Sequence, residues 1–167
     1  FPAERRDDLL NALARRIRHE PMRYITGSCP FYGRDFNVDA RVLIPRPETE
    51  QLIDQALAWA EETHAETLRV ADIGTGSGVI AITLARELTL PEVHAVDISH
   101  DALEVASFNA DRLAGLVGVT FHEGDLATPL EGHFDILVAN LPYVKLQTLE
   151  DAETELANIL SAEILAE

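Results

Sequence analysis

The sequence predicts an α/β protein with a doubly wound, mostly parallel sheet, preceded by a small N-terminal helix and a β-hairpin. Three observations support this. Strand-like and helix-like segments alternate from residue 69 onward. Strand-like segments such as Val70-Ala71-Asp72-Ile73 and Ile136-Leu137-Val138-Ala139 are almost wholly apolar, which is typical of parallel strands covered by helices on both faces. A glycine-rich run follows the first of these strands, at the sheet edge where such folds bind ligands.

The first 62 residues predict a helix, a hairpin and a second helix. Apolar residues at helical spacing predict an amphipathic helix over Glu4–His19. Aromatic-rich pieces between residues 21 and 47 predict a small hairpin that includes Val42-Leu43-Ile44. Pro47 and the acidic residues after it predict a helix from about Glu48 to Glu62.

The rest of the chain follows a βαβαββ pattern after the polar stretch Glu61–Thr67. The predicted elements are a strand Arg69–Ile73, a helix Ser77–Glu87, a strand Glu92–Ile98, a helix Asp101–Leu113 and strands Val117–Glu123 and Phe134–Ala139. The carboxyl ends of such strands meet at one edge of the sheet, so residues that follow them are candidates for one site.

Composition limits the kind of protein this is. The 167 residues carry 13 basic and 29 acidic side chains, a formal net charge of −16, and 47% are hydrophobic. A folded acidic domain follows, and a protein that binds nucleic acid mainly through its phosphates is disfavoured. No apolar run approaches the ~18 residues of a membrane span. The single cysteine, Cys29, excludes a disulfide framework and a zinc thiolate cluster. We expect a soluble, cytoplasmic protein without a metal site.

The glycine-rich run is Asp72-Ile73-Gly74-Thr75-Gly76-Ser77-Gly78. Glycines at a strand end let the backbone approach a ligand, while the next helix offers free N–H groups. The predicted cofactor-binding residues of this loop are Gly74, Thr75, Gly76, Ser77 and Gly78. The alternative is a tight turn without a ligand, which leaves unexplained why three glycines in five residues forgo side-chain packing.

Two acidic residues follow the next strands. Asp97 ends the second strand, and its carboxylate can accept hydrogen bonds from both hydroxyls of a ribose. Its alternative role, capping the next helix, suits Ser99 at least as well. Asp125 follows the third strand and can accept from an adenine amino group, while Leu126 offers an apolar surface to the base. A loop cap is the alternative for Asp125.

The fourth strand is followed by Asn140-Leu141-Pro142-Tyr143. An amide side chain both donates and accepts hydrogen bonds, proline leaves a neighbouring carbonyl available, and an aromatic ring can stack on a flat group. This combination suits a planar NH2 substrate.

The tetrapeptide resembles the Asn-Pro-Pro-Tyr motif of S-adenosylmethionine-dependent methyltransferases that act on amide or exocyclic amino nitrogens. The glycine loop is similar to their cofactor motif. Upstream segments resemble the HemK/PrmC family, the release-factor glutamine N5-methyltransferases, from about Leu9 to Val144. They are Arg23-Tyr24-Ile25-Thr26-Gly27, Phe31-Tyr32-Gly33, Phe36-Asn37-Val38 and Leu43-Ile44-Pro45-Arg46-Pro47-Glu48-Thr49-Glu50.

The resemblance implies a Rossmann-like class I methyltransferase that uses S-adenosylmethionine and releases S-adenosylhomocysteine. It implies class 1 peptide release factors as partners, methylated on the glutamine of their Gly-Gly-Gln loop. Asn140, Pro142 and Tyr143 are then catalytic, and Asn140 also touches the cofactor together with Asp97, Asp125 and Leu126. The implied substrate-binding residues are Asn140, Leu141, Pro142, Tyr143 and Arg46.

Two departures from the family qualify this expectation. Members usually have proline at the position of Leu141, and the leucine form resembles the motif of ribosomal RNA adenine dimethyltransferases. After Val144 the family pattern ends: Lys145–Glu167 predicts an acidic amphipathic helix, and the strands that would complete a seven-stranded sheet are missing. We therefore divide the chain into 1–20, the remnant of an N-terminal helical domain; 21–62, hairpin and linking helix; and 63–167, a truncated S-adenosylmethionine-binding domain.

Other functions remain open from the motifs alone. An N6-adenine RNA or DNA methyltransferase would use the same motifs but needs a basic face. A nicotinamide-dependent dehydrogenase, or a non-catalytic cofactor-binding protein, leaves the tetrapeptide without a role. Arg46 and Glu48 have an alternative role as an ion pair that holds the hairpin against the sheet. The six scattered histidines, Cys29 and Trp59 are expected to be structural or surface residues.

Overall fold

A computed structural model of the chain describes residues 3–64, 67–113 and 118–141. The helices are α1 (Ala3–Ile17), α2 (Met22–Thr26), α3 (Glu50–Thr63), α4 (Val79–Glu87) and α5 (His100–Leu113). The strands are β1 (Ser28–Phe31), β2 (Arg34–Asn37), β3 (Arg69–Ile73), β4 (Glu92–Asp97), β5 (Val119–Glu123) and β6 (Ile136–Ala139). The predictions for Pro142, Tyr143 and Lys145–Glu167 lie outside the described residues, as does the proposed strand start at Val117.

Four strands form one parallel sheet in the order β5-β4-β3-β6. The strand order reverses beside β3, because β4 and β5 lie on one side of it and β6 on the other. In the register, Ile73 pairs with Val96 of β4 and with Ala139 of β6, so the carboxyl ends of these strands are level. The predicted doubly wound α/β fold is confirmed, and its switch point lies between β3 and β6.

Helix α3 and the helices that follow β3 and β4 cover one face of this sheet. Ile53 of α3 and Ile82 and Leu84 of α4 are fully buried there against Val70 and Val93 of the sheet. This placement follows from right-handed crossovers between neighbouring parallel strands. On the opposite face, the crossover from β5 to β6 packs Ala127 and Phe134 against the strands. The sequence predicted helices on both faces, but within the described ranges the second face has only this crossover.

The N-terminal part differs from the prediction in three ways. α1 ends at Ile17 instead of His19, because His19 adopts a positive φ of 66° that no helix continues. A five-residue helix, α2, precedes the hairpin and was not predicted. The hairpin pairs β1 with β2, whereas Val42-Leu43-Ile44 forms no strand. The carbonyl of Val42 accepts instead from the hydroxyl of Tyr24, at 2.7 Å.

Three predicted helix starts shift by one or two residues, those of α3, α4 and α5, the last of which begins at His100 instead of Asp101. Two strands are shorter than predicted: β4 ends at Asp97 instead of Ile98, and β6 begins at Ile136 instead of Phe134. A 3-10 turn, Pro47–Thr49, precedes α3, so Pro47 occupies the first-turn position expected for it. α4 begins at Val79 instead of Ser77, because Gly78 has a left-handed φ of 81°. Cys29 is buried, and Trp59 packs against the main core, both as expected. In the described part of the chain, no helix is long and apolar enough to cross a membrane.

Candidate functional site

A cavity of about 330 Å³ opens where the carboxyl ends of β3, β4 and β6 meet the loop after β5. Nine of the residues predicted for the site line it: Gly74, Thr75, Gly76, Ser77, Asp97, Asp125, Leu126, Asn140 and Leu141. These residues come from four separate strand ends, so the parallel register is what brings them together. Gly78 and Arg46 are not among the lining residues.

The glycine loop has a backbone that only glycine adopts readily. Gly74, Gly76 and Gly78 have φ values of 72°, 55° and 81°. The N–H groups of Gly74 and Thr75 both donate to the carbonyl of Val96, at 2.8 and 2.9 Å, and so tie the loop to β4. The loop is therefore held in place by the neighbouring strand.

Gly78, predicted as a cofactor-binding residue, does not line the cavity, and the structure shows a packing role for it. A Cβ atom at this position would lie 2.9 Å from Cδ1 of Ile82 and 3.2 Å from Cβ of Ala106. These distances are shorter than ordinary van der Waals contact, so the absence of a side chain is what lets α4 approach α5. The third glycine of the loop therefore allows the close packing of α4 on α5.

Asp97 anchors the loop from the end of β4. One carboxylate oxygen accepts from the N–H of Gly76 at 2.9 Å, and the other accepts from the N–H of Ser99 at 3.0 Å. Each oxygen keeps a further lone pair for a ligand. The helix-capping role belongs to Ser99, whose hydroxyl oxygen accepts from the N–H of Ala102 at 3.3 Å.

Asp72 is a site residue that the sequence reasoning did not single out. Its side chain is fully buried, and one carboxylate oxygen accepts from the Thr75 hydroxyl at 2.6 Å and from the N–H of Ala81 at 3.1 Å. The other oxygen is buried and has no partner among the described residues. Burial raises the pKa of this carboxyl to about 6, although the two hydrogen bonds oppose that rise. The signal was available: an acidic residue stands inside an otherwise apolar buried strand.

Two apolar residues line the mouth of the cavity: Leu126, which was predicted for the site, and Ile98, which was not. Leu126 lines the cavity and packs partly against the cluster around Phe134. Ile98 also lines it, yet its side chain is 71% exposed. Its position directly after Asp97 could have predicted that Ile98 belongs to the site. A large apolar side chain at the mouth of a cavity offers a surface for a flat ring.

Asp125 is exposed at the same mouth. Within the described ranges its carboxylate accepts no hydrogen bond, so the side-chain loop cap considered from the sequence is not formed. The turn is closed by the main chain: the carbonyl of Asp125 accepts from the N–H and the hydroxyl of Thr128 at 3.1 and 2.7 Å. The carboxylate is left free to accept from a ligand.

Asn140 and Leu141 contact two different parts of the site. The Nδ2 group of Asn140 donates to the hydroxyl oxygen of Thr49 at 3.0 Å. Leu141 covers the glycine loop, since a Cβ built on Gly74 would lie 2.6 Å from its Cδ2 atom. The tetrapeptide is thus in contact with both the cofactor loop and the start of α3.

The Pro-Arg-Pro-Glu-Thr-Glu segment contacts the rest of the structure through Thr49 and Glu50, and the substrate-binding role predicted for Arg46 stays a prediction. Arg46 and Glu48 are exposed, and neither side chain forms an ion pair with any described residue, so the alternative of an Arg46–Glu48 pair is not observed. Thr49 reaches Asn140, and a carboxylate oxygen of Glu50 accepts from the N–H of Tyr32 in the hairpin turn at 2.8 Å. The sequence marked the segment as a family motif, but it did not predict which of its side chains contact the rest of the structure.

The site contains hydrogen-bond donors and acceptors but no metal-binding arrangement. Across the described ranges, no three histidine, cysteine or acidic side chains lie close enough to hold a metal ion.

The comparisons with known proteins agree with this geometry. The family model described as "Methyltransferase domain" matches residues 64–163, more than half of the 167 residues. The chain belongs to this methyltransferase family. Among solved structures, magnesium protoporphyrin IX methyltransferase from Synechocystis PCC 6803 with bound SAH is 26% identical, with a TM-score of 0.57. That match covers 68% of this chain and 52% of the other, and it supports the Rossmann-like methyltransferase fold.

Two curated relatives confirm the resemblance read from the motifs. A "Release factor glutamine methyltransferase" of Koribacter versatilis (strain Ellin345) is 52% identical over 136 residues, covering 80% of this chain and 47% of that protein. A protein of the same name from Bacillus subtilis (strain 168) is 46% identical over 136 residues, covering 78% and 46%. The chain thus spans about half the length of the curated relatives it matches.

Proposed function

We propose that the chain binds S-adenosylmethionine in the cavity and transfers its methyl group to the side-chain nitrogen of a glutamine, the one in the Gly-Gly-Gln loop of class 1 peptide release factors. One observation carries the proposal: the glycine loop, the strand-end acid Asp97 and the side chain of Asn140 line the same cavity. A cofactor site and an amide-recognising site that share one cavity suit transfer from one to the other.

The described residues fit the parts of the cofactor. Asp97 would accept from the ribose hydroxyls with the lone pairs that Gly76 and Ser99 leave free. Ile98 and Leu126 would enclose the adenine ring, and the free carboxylate of Asp125 would accept from its amino group. S-adenosylmethionine supplies a methyl group made electrophilic by its cationic sulfonium. The solved relative with bound SAH supports this cofactor class.

The residues after β6 would orient the methyl acceptor. A glutamine amide is a poor nucleophile, because its nitrogen lone pair is delocalised into the carbonyl group. Positioning must therefore supply most of the rate. The Oδ1 atom of Asn140 and the carbonyl of Leu141 or Pro142 would accept from the amide NH2 and stabilise the positive charge that develops on nitrogen. Tyr143, outside the described residues, would close the pocket against the flat amide.

No strong base is required during transfer. The nitrogen becomes acidic only once the methyl group is attached, and its proton can then leave to water. The proposal therefore needs hydrogen-bond acceptors at the nitrogen, which the site offers, and no catalytic histidine.

Methylation of adenine N6 in RNA or DNA is the second candidate, because Leu141 gives the tetrapeptide a form that resembles ribosomal RNA adenine dimethyltransferases. The net charge of −16 opposes it, since binding through phosphates needs a basic surface. The two curated relatives are named for release factors. We therefore favour a protein partner in the cytoplasm, with no nucleic acid and no membrane involved.

Single-turnover methyl transfer to a release factor, with saturating S-adenosylmethionine, tests the proposal. We expect transfer to the glutamine of Gly-Gly-Gln and none to ribosomal RNA. Asn140→Ala should slow transfer by about 10²–10³, while the affinity for S-adenosylmethionine changes by less than about threefold because Asn140 acts mainly on the acceptor. Methyl incorporation into RNA but not protein would overturn the proposal, and a near-normal rate for Asn140→Ala would refute the role of that side chain.

Asn140→Asp is the sharper probe of the same side chain. It keeps an acceptor, removes the donor to Thr49 and adds a negative charge near Asp97 and Asp125. We expect transfer to fall as in Asn140→Ala while the affinity for the cationic cofactor also shifts. Calorimetric titration, with NAD as the control ligand that should not bind, separates the two effects.

A further inference from the structure

Asn140 is exposed at the mouth of the cavity, and within the described ranges its side chain makes one hydrogen bond, to Thr49. An exposed asparagine side chain rotates freely about two bonds unless a partner holds it. The donor in this bond is the Nδ2 group. The Oδ1 atom lies on the other side of the same planar amide and accepts no hydrogen bond from any described residue. In the structure the nitrogen end of the amide is turned to Thr49, and the oxygen end has no partner among the described residues.

Thr49 is a rigid partner for that contact. Its side chain is only 5% exposed, although it stands at the very start of α3. It continues the buried face of that helix, four and seven residues before Ile53 and Ala56. Its N–H donates to the carbonyl of Arg46 at 3.0 Å and closes the 3-10 turn. A β-branched side chain in such a setting has little rotamer freedom, so its hydroxyl oxygen stays where Nδ2 can reach it.

We propose that Thr49 is a positioning residue for methyl transfer: its hydroxyl oxygen holds Nδ2 of Asn140, so that Oδ1 is presented to the acceptor nitrogen. This inference rests on the proposed function and extends it to a residue outside the tetrapeptide. The bond also gives the Pro-Arg-Pro-Glu-Thr-Glu segment a defined part in the reaction. Thr49 acts through Asn140 and need not touch either substrate.

Three variants of the full-length protein test the proposal. Thr49→Val keeps the shape of the side chain and removes the acceptor, whereas Thr49→Ser keeps the acceptor. Thr83→Val is the matched control. Thr83 is a buried threonine, as Thr49 is, and its hydroxyl donates to the carbonyl of Val79 at 2.6 Å. Unlike Thr49, it does not line the cavity. Any general effect of removing a buried threonine hydroxyl should appear in this control as well.

We expect Thr49→Val to lower kcat for methyl transfer by about 5- to 30-fold, the effect of one lost orienting hydrogen bond. The Kd for S-adenosylmethionine should change by less than about twofold, because the proposed role of the bond is to orient the side chain toward the acceptor nitrogen and not to hold the cofactor. Thr49→Ser should stay within about threefold of the unmodified protein, and Thr83→Val should leave kcat unchanged. In an Asn140→Ala background, Thr49→Val should add less than about a twofold loss, since the two residues act as one unit.

A separate measurement keeps this inference distinct from the proposed function. Side-chain amide NMR of Asn140, assigned by its loss in Asn140→Ala, reports whether Thr49 orders that amide, whatever the methyl acceptor is. Its order parameter should fall in Thr49→Val and persist in Thr49→Ser. If the unmodified protein transfers no methyl group to a release factor while this NMR pattern holds, the proposed function fails and the ordering of Asn140 by Thr49 stands. Full order in Thr49→Val, or an unchanged kcat in an active protein, would overturn the inference.

Discussion

Replacing Asp97 by alanine should weaken both the glycine loop and the cofactor site. The two carboxylate oxygens each accept a backbone N–H, from Gly76 at 2.9 Å and from Ser99 at 3.0 Å. Both bonds are to a charged acceptor, and Asp97 is half-buried, so water can reach the freed N–H groups in part. The variant loses these bonds at once and also the acceptors proposed for the ribose hydroxyls.

The magnitude follows from counting bonds to a charged group. Hydrogen bonds of this kind contribute about 1.5–3 kcal/mol each when buried, and partial access of water lowers that range. We expect Asp97→Ala to reduce the free energy of unfolding by about 1–3 kcal/mol. Loss of the paired ribose contact should also weaken the binding of S-adenosylmethionine by about 1.5–3 kcal/mol, which raises its Kd about tenfold to hundredfold.

Asp125→Ala is the matched control for charge. Asp125 is also an acidic residue at a strand end that lines the cavity, but its carboxylate accepts no hydrogen bond from a described residue. Its replacement should change the free energy of unfolding by less than about 0.5 kcal/mol. Urea denaturation measures stability, and calorimetric titration measures the Kd for S-adenosylmethionine; both are run on the two variants in parallel.

Three results would contradict this reasoning. An unchanged Kd for Asp97→Ala would remove the ribose assignment. Equal losses of affinity in Asp97→Ala and Asp125→Ala would show that negative charge near the sulfonium matters, and not the bonds at the end of β4. Unchanged stability would show that the loop is held by Val96 alone.

Further outcomes are expected at three other positions. Gly74→Ala should destabilise the protein by about 1–2 kcal/mol because φ is 72°, and its new Cβ would also clash with Leu141. Gly76→Ala has similar backbone strain but no close neighbour. In thermal unfolding, Leu141→Ala should therefore partly rescue Gly74→Ala and not Gly76→Ala. Leu141→Pro should keep methyl transfer within about threefold, because the carbonyl is retained, while Tm falls through lost packing on Gly74; a transfer loss beyond tenfold would contradict this. In the folded protein the pKa of Asp72 is about 6, above its usual 3.8. The native state therefore binds more protons than the unfolded state. The contribution of this group to the free energy of unfolding should fall by about 3 kcal/mol as pH rises from 4 to above 6. Urea denaturation across that range should show this slope reduced in Asp72→Asn, and equal slopes would refute it.

Local patterns were sufficient to predict most of the sheet and the helices that pack on it. β3 was predicted with the bounds Arg69–Ile73 that the structure has, because an apolar run bounded by polar residues leaves little choice of strand. The switches to helix after β3 and β4 were predicted for the same reason. Some errors lie where one residue's backbone overrides the pattern: the positive φ values of His19 and Gly78 end or delay helices that periodicity alone would extend. Others lie before α3, where the short helix α2 was not predicted and Val42-Leu43-Ile44 forms no strand.

The cofactor loop and the acids at the strand ends were predictable because parallel strands bring their carboxyl ends to one edge, whatever the details of packing. Gly74, Asp97 and Asn140 each stand at the end of a predicted parallel strand, and this position already implied that they share a site. What these residues contact was not predictable, because a side chain's direction depends on the packing around it. Gly78 looks like its neighbours in the loop, yet it serves the packing of α4 against α5.

The sequence by itself determined the alternation of strands and helices from β3 onward and the residue types that line the cavity, because both follow from local spacing, and its motifs carried the resemblance to the family. Only the tertiary structure decided which residues meet. Thr49 and Asn140 are 91 positions apart in the chain, and nothing in their local patterns links them. Their contact depends on how α3 packs beside β6, which is set by the burial of Ile53 and its neighbours against the whole sheet.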